Sequence, residues 1–336
     1  MPSSDRSLRI VIAGATTLRG KELVQVLGER IPQARLHLLD DEESAGLLTE
    51  AAGEPAVVQP VDAESFAGAR IVFFAGTPEF TTKHAEKAMA SGAEVVDLTG
   101  ALAGRADARM WIPSLDAVLP PSFSSAKKAR AYSSSSAPAI ISCGLAAALN
   151  VWTPKTISIV FLQPVSELGQ AGIHELESQT VKVLSFQPIS TEVFGTQVAF
   201  NLSDRYGVSS KRLLGDTRVA LARDVAKYLA GRARVPAVEV IQAPTFHAHG
   251  FSAFAVLTGS IQTSEIEKQL LAAGFNMDAA DDAATNVGAA GLGHPTIGRI
   301  ERDPNYDCGY WFWGTADSLR IETLNAAAIA DRVLSD

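Results

Sequence analysis

The chain has 336 residues, 47% of them hydrophobic, and a formal net charge of −8. That length allows two domains with well-formed cores. The acidic balance argues against a nucleic-acid or polyanion binder, which would carry a basic patch. No stretch reaches the roughly 18 apolar residues of a membrane span. The N-terminal MPSSDRS has no signal-peptide core, and two cysteines, Cys143 and Cys308, make no disulfide framework. A soluble protein of the reducing cytoplasm is expected. No Cys/His cluster has zinc-ligand spacing, so no metal site is expected.

Along the chain, Ile10–Ala13 reads as a continuous apolar strand that runs into a Gly-rich turn. Lys21–Arg30 follows with helical spacing at Leu23, Val26 and Leu27. Leu36–Leu39 is a second strand, Ala56–Val61 a candidate third, and Ile71–Ala75 a strongly apolar one. His84–Ser91 reads as a helix and Glu94–Leu98 as the next strand. Short apolar strands alternating with helices predict an α/β, Rossmann-type doubly wound parallel sheet. Residues 1–136 are assigned to it, with ligands at the carboxyl ends of the strands. Ala131–Ser136 is polar, a short strand or a linker, and Leu145–Leu149 is helical. The pattern then changes. Ile157–Leu162, Val238–Gln242 and Phe251–Thr258 read as longer strands, Ile173–Val183 and Thr217–Ala230 as helices. They predict an α+β domain over 137–314 with an antiparallel or mixed sheet. Asp278–Ala284, small and acidic, reads as a loop. Ala316–Leu334 is a final helix, and no internal repeat is present.

The turn carries the first chemistry. Glycines at 14 and 20, flanking Thr16, Thr17 and Leu18, let backbone approach a pyrophosphate at a helix N-terminus. Thr17 stands where a middle glycine usually sits. The second strand ends in Asp40-Asp41-Glu42-Glu43-Ser44. Asp40 is placed to accept hydrogen bonds from ribose hydroxyls, with Ser44 beside it. The same carboxylates would repel a 2′-phosphate, so NAD is favoured over NADP. The plainer readings are a packed βαβ unit without ligand and a solvated acidic loop.

Several segments, in order, carry a resemblance: the turn Gly14–Gly20; Phe73-Phe74-Ala75-Gly76-Thr77 with His84-Ala85; and Glu94 to Ala101. Later come Gly195 to Asn201, Pro244 to His249, and Ala316-Asp317-Ser318-Leu319-Arg320. Together they resemble the aspartate-semialdehyde dehydrogenase family. The resemblance implies that Gly76 and Thr77 lie on the nicotinamide side of a dinucleotide site. It implies a homodimer formed through the second domain's sheet, fitting the apolar strands Ile157–Leu162 and Phe251–Leu257. It also implies that the C-terminal helix returns to the first domain. In that family a cysteine thiolate attacks the aldehyde, a hydride passes to the nicotinamide, and phosphate releases the acyl group. His249 resembles the acid/base, and two arginines hold the carboxylate and the phosphate.

Not every residue carries over. The family thiol lies in N-P-N-C at a helix N-terminus, where the dipole lowers its pKa. Anchoring on Pro138 puts Ile140 in that place and makes Cys143 a buried helical thiol. Anchoring on Cys143 preserves its eleven-residue spacing to Pro154 but sacrifices the N-P-N. The proline anchor is preferred. The substrate-carboxylate arginine falls at Gln242, seven residues before His249, and Arg105 replaces the second arginine only with a shift of two. Glu43 replaces the arginine that reads a 2′-phosphate. His247, two residues from His249, would share its face on a strand.

Three readings follow. The segment Phe186–Gly195 resembles a paralogous branch of the family that lacks the catalytic cysteine, so the first reading is a degenerate paralogue. The second is an active enzyme using Cys143 as nucleophile and His249 as acid/base on a non-standard semialdehyde. The third is a non-enzymatic interaction scaffold.

Overall fold

The computed structural model describes residues 8–51, 54–119, 129–278 and 283–335. The chain forms two compact units. The first comprises Met1–Pro113, Pro121–Ser135 and Glu322–Asp336, the second Ser114–Pro120 and Ser136–Ile321.

In the first unit the chain runs β1 (Arg9–Ala13), α1 (Leu18–Arg30), β2 (Arg35–Asp40), β3 (Leu48–Ala51), β4 (Glu54–Val57), β5 (Gln59–Pro60), β6 (Ile71–Phe74), α2 (Pro78–Ala90), β7 (Glu94–Asp97), β8 (Ala108–Trp111) and β9 (Ala131–Ser134). Seven of these strands build one sheet in the order β5-β2-β1-β6-β7-β9-β8, and every pairing is parallel. Its central strands β1 and β6 are near-continuously apolar because both faces are covered. Alternate residues go to opposite sides. Ile10, Ile12, Ile71 and Phe73 join one core with Leu23, Val26 and Leu27 of α1. Val11, Ala13, Val72 and Phe74 join the other with Ala85, Ala88 and Met89 of α2.

The second unit runs α3 (Ala137–Leu149), β10 (Thr156–Gln163), α4 (Gly169–Leu184), α5 (Leu214–Leu229), β11 (Ala237–Gln242), β12 (His249–Val256), α6 (Thr263–Ala272), β13 (Asn276–Met277), β14 (Thr296–Arg302), β15 (Gly309–Ala316) and the start of α7 (Ser318–Ser335). Its mixed sheet has the order β11-β10-β12-β15-β14-β13. Burial alternates strictly along β10. Ile157, Ile159, Phe161 and Gln163 are buried with Phe251, Ala253, Tyr310 and Phe312. On the opposite side, Val160, Leu162, Phe254 and Trp313 are half-buried and Trp311 is 38% exposed. α7 returns to the first unit. Ala326, Ala327, Ile329, Ala330 and Val333 enter the α1-side core, and Glu322 bridges Arg19 at 3.0 Å.

Ala56–Val61 is not one strand. Glu54–Val57 pairs antiparallel with Leu48–Ala51, while Gln59–Pro60 adds to β2. The proline fits there because an edge strand spares one ladder donor. Ala316 belongs to β15 rather than to the final helix, which begins at Ser318. His247 and His249 do not share a strand face. His247 is an exposed bend residue, and Ala248 between them has φ +62°, which breaks the extended path before β12 begins. Of the acidic stretch 278–284, residues 279–282 lie outside the described residues.

Candidate functional site

In the first unit the end of β1 turns on Gly14, with φ +92°. Its N–H and that of Ala15 donate to Leu39 O at 2.8 and 3.1 Å. A Cβ on Gly14 would lie 2.1 Å from Gly76 N, and one on Gly20 would lie 2.1 Å from Gly14 O. Both glycines are therefore required by contact. They produce the tight strand–turn–helix packing that suits the dinucleotide fold, and a ligand phosphate would face the start of α1 at Leu18. Thr17 is the N-cap of α1. Its Oγ1 accepts from Gly20 N at 2.9 Å and lies 2.9 Å from Gly14 O and 2.8 Å from Ala75 O. Thr77 caps α2 in the same way, accepting from Phe80 N at 3.1 Å.

Asp40 is less available to a ribose than its position in the sequence suggests. It is 5% exposed. Oδ2 accepts from Thr16 N at 2.8 Å and from Thr16 Oγ1 at 2.6 Å, and Oδ1 accepts from Asp41 N at 3.0 Å. The carboxylate clasps the turn. Ser44 donates its N–H to Asp41 Oδ1 at 2.9 Å, and Asp41, Glu42 and Glu43 are exposed. Arg105 is also occupied. It grips Asp107 through two hydrogen bonds of 2.8 and 2.9 Å and reaches Glu86 as well. These acceptors push its pKa up.

In the second unit, every residue of α3 is buried. Ile140 lies in the first turn, its N–H donating to Ser136 O at 2.9 Å. Cys143 follows by three residues, about 4.5 Å along the axis. Its side chain is fully buried, and burial pushes the thiol pKa up, followed by smaller opposing effects of Arg232 and Asp224. A thiol held in that state is no thiolate near neutral pH.

Gln242, at the end of β11, is fully buried. Nε2 donates to Gln163 O at 2.9 Å and to Ala243 O at 3.0 Å. Oε1 accepts from Tyr206 Oη at 2.9 Å and from Gln163 Nε2 at 3.2 Å. Both amide protons and both oxygen lone pairs are engaged. Burial, then nearby Glu167, pushes the Tyr206 phenol up, so it stays a neutral donor. His249 is 1% exposed. Its Nδ1 lies 2.9 Å from Ser318 Oγ and 3.9 Å from Glu167 Oε1, and Phe161 packs edge-on at 6.1 Å. The sequence does not single out Gln163, Tyr206 or Glu167, and it offers Ser318 only as part of the Ala316–Arg320 motif. Of the first three only Gln163 left a signal, a polar residue on the buried side of an alternating strand. Among the described residues no group of three or more His, Cys, Asp or Glu could hold a metal.

The family profile described as semialdehyde dehydrogenase, NAD binding domain, matches residues 9–118, and that described as semialdehyde dehydrogenase, dimerisation domain, matches 145–321. A USG-1 protein homolog of Azotobacter vinelandii is 30% identical, over 98% of each chain. Aspartate-semialdehyde dehydrogenase 2 of Vibrio cholerae is 24% identical, over 98% of this chain and 99% of that one. A solved structure described as a probable aspartate-semialdehyde dehydrogenase from Pseudomonas aeruginosa superposes with TM-score 0.88 at 29% identity, covering 98% of this chain and 99% of that one.

The state of Cys143 gives a direct expectation. Iodoacetamide at pH 8 should modify half-buried Cys308 in the folded protein and leave Cys143 intact, while both react in denaturant; mass spectrometry reads the outcome. The folded thiol pKa lies above the unfolded one, so the contribution is fully present below about pH 8.5 and is lost as pH rises, by up to ~1.4 kcal/mol per unit. Cys143→Ala should flatten that decline in denaturant melts between about pH 8.5 and 10.

Proposed function

Because the chain belongs to the semialdehyde dehydrogenase family, we propose that it keeps the family's NAD(P)-binding fold and has lost the phosphorylating oxidation of aspartate semialdehyde. The observation that carries this reading is α3. An aliphatic side chain, Ile140, stands in the first turn, where a helix dipole would activate a thiol. The nearby cysteine is buried and held protonated. Covalent aldehyde chemistry needs an activated nucleophile within reach of a base, and Cys143 does not meet the first condition. Gln242 adds support. Its amide is saturated by Gln163, Ala243 and Tyr206, so it has no charged fork to offer a carboxylate. Arg105 spends its own fork on Asp107. A nicotinamide dinucleotide bound at the Gly14 turn would supply hydride transfer.

The test is reduction of NAD or NADP by the purified protein with aspartate semialdehyde and phosphate. No rate above background is expected with either. Robust turnover that Cys143→Ser abolishes would overturn the reading and make Cys143 the nucleophile with His249 as its base.

The exposed Asp41, Glu42 and Glu43 favour NAD over NADP, since carboxylates repel a 2′-phosphate. Calorimetry should give the tighter constant for NAD, and Glu43→Arg should gain on the order of tenfold for NADP, one charged hydrogen bond's worth. Tighter NADP binding by the unaltered protein would refute the charge argument.

The half-buried sheet face with Val160, Leu162, Phe254, Trp311 and Trp313 supports pairing with a second copy of the chain. The protein should sediment as a dimer and Trp311→Glu as a monomer. An unaltered monomer at micromolar concentration would defeat this.

A further inference from the structure

We propose that Thr17 and Asp40 hold the nucleotide turn closed on itself, so that this chain binds a dinucleotide only by breaking an internal tie. In the order β5-β2-β1-β6-β7 successive strands are added on one side of β1 and then, from β6, on the other, so the winding reverses at the β1/β6 boundary, where open α/β sheets take their ligands. Thr17 crosses that boundary. Its one hydroxyl proton is shared between Gly14 O, at the end of β1, and Ala75 O, at the end of β6, at 2.9 and 2.8 Å. The same oxygen accepts the Gly20 N–H of the first turn of α1. Asp40 completes the closure from the other side, its buried Oδ2 taking both the N–H and the hydroxyl of Thr16. Two amides that border the start of α1, Thr16 and Gly20, thus already have oxygen partners from the chain itself. One of those partners carries a negative charge.

A bound pyrophosphate would compete with these partners. It would also meet the Asp40 carboxylate in a low-dielectric position, where like charges repel most strongly. A glycine at position 17 would leave the Gly20 amide and the crevice open. This inference rests on the dinucleotide reading of the turn but not on the loss of aldehyde chemistry, because it concerns residues of the first unit only.

The experiment is calorimetric titration of the full chain with NAD, alongside melting of the ligand-free protein. Thr17→Gly should bind NAD on the order of tenfold more tightly, the equivalent of one hydrogen bond left unbroken. It should also melt at a lower temperature without ligand. Thr17→Ser, which keeps the hydroxyl, should match the unaltered protein in both measurements. Thr17→Ala serves as the second opened variant if Thr17→Gly does not fold, with the same direction expected. Equal or weaker NAD binding by the opened variants, while the unaltered protein binds, would overturn the closure and leave the dinucleotide reading standing. Absence of binding in every variant would overturn both.

Discussion

The first unit is organised around one close contact, the backbone of Gly14 against that of Gly76. Two strands of a parallel sheet end side by side there, and the turn after β1 has no room for a side chain at position 14. A Cβ on Gly14 would lie 2.1 Å from Gly76 N, and the φ of +92° is one that L residues rarely adopt. That contact fixes how β1 leads into α1 and how β6 leads into α2. It brings the caps Thr17 and Thr77 to the carboxyl edge of the sheet, together with the Asp40 carboxylate at the end of β2. The chemistry available at that edge therefore follows from a packing requirement.

In the second unit the corresponding constraint is the burial of α3. A helix buried on every side must be apolar all round, and APAIISCGLAAAL meets this condition. It packs against α5, α6 and β10. Gly144 is part of the fit, since a Cβ there would meet the Phe275 ring at 2.9 Å. Within such a helix a cysteine behaves as a small apolar residue. The full burial that makes Cys143 a good packing residue also pushes its thiol pKa up and so opposes thiolate formation. Stability and reactivity make opposite demands on this one position.

The sequence was informative where periodicity was strong. RIVIA and IVFF read as strands covered on both faces because nothing polar interrupts them, and TISIVFLQ as a one-sided strand because it alternates. It was less informative where long-range pairing decided the outcome. The strands Thr296–Arg302 and Gly309–Ala316 do not stand out in the sequence. Gly309, Gly314 and bulky aromatics disguise the alternation in the latter, and its place between β12 and β14 depends on partners far away in the chain. Two histidines two residues apart suggested a shared strand face, but the φ of +62° at Ala248 is not encoded by any glycine. At the candidate site, the motif positions Gly14, Thr17 and Asp40 were legible as positions. Their partners were not, because a hydrogen bond between Thr16 and Asp40 spans 24 residues and leaves no spacing rule.

The polar groups singled out from the sequence share a physical state that motif reading does not reveal. Arg105 finds Asp107 and Glu86; Gln242 finds Gln163, Ala243 and Tyr206; Asp40 finds Thr16 and Asp41. A binding site generally works the other way, leaving donors or acceptors under-satisfied so that ligand supplies what is missing. Replacing an unpaired buried charge with a satisfied neutral network removes a desolvation cost and adds hydrogen bonds worth roughly 0.5–1.5 kcal/mol each. Gln242 is such a neutral, internally satisfied network, while Arg105 and Asp40 remain charged and are matched by partners within the chain.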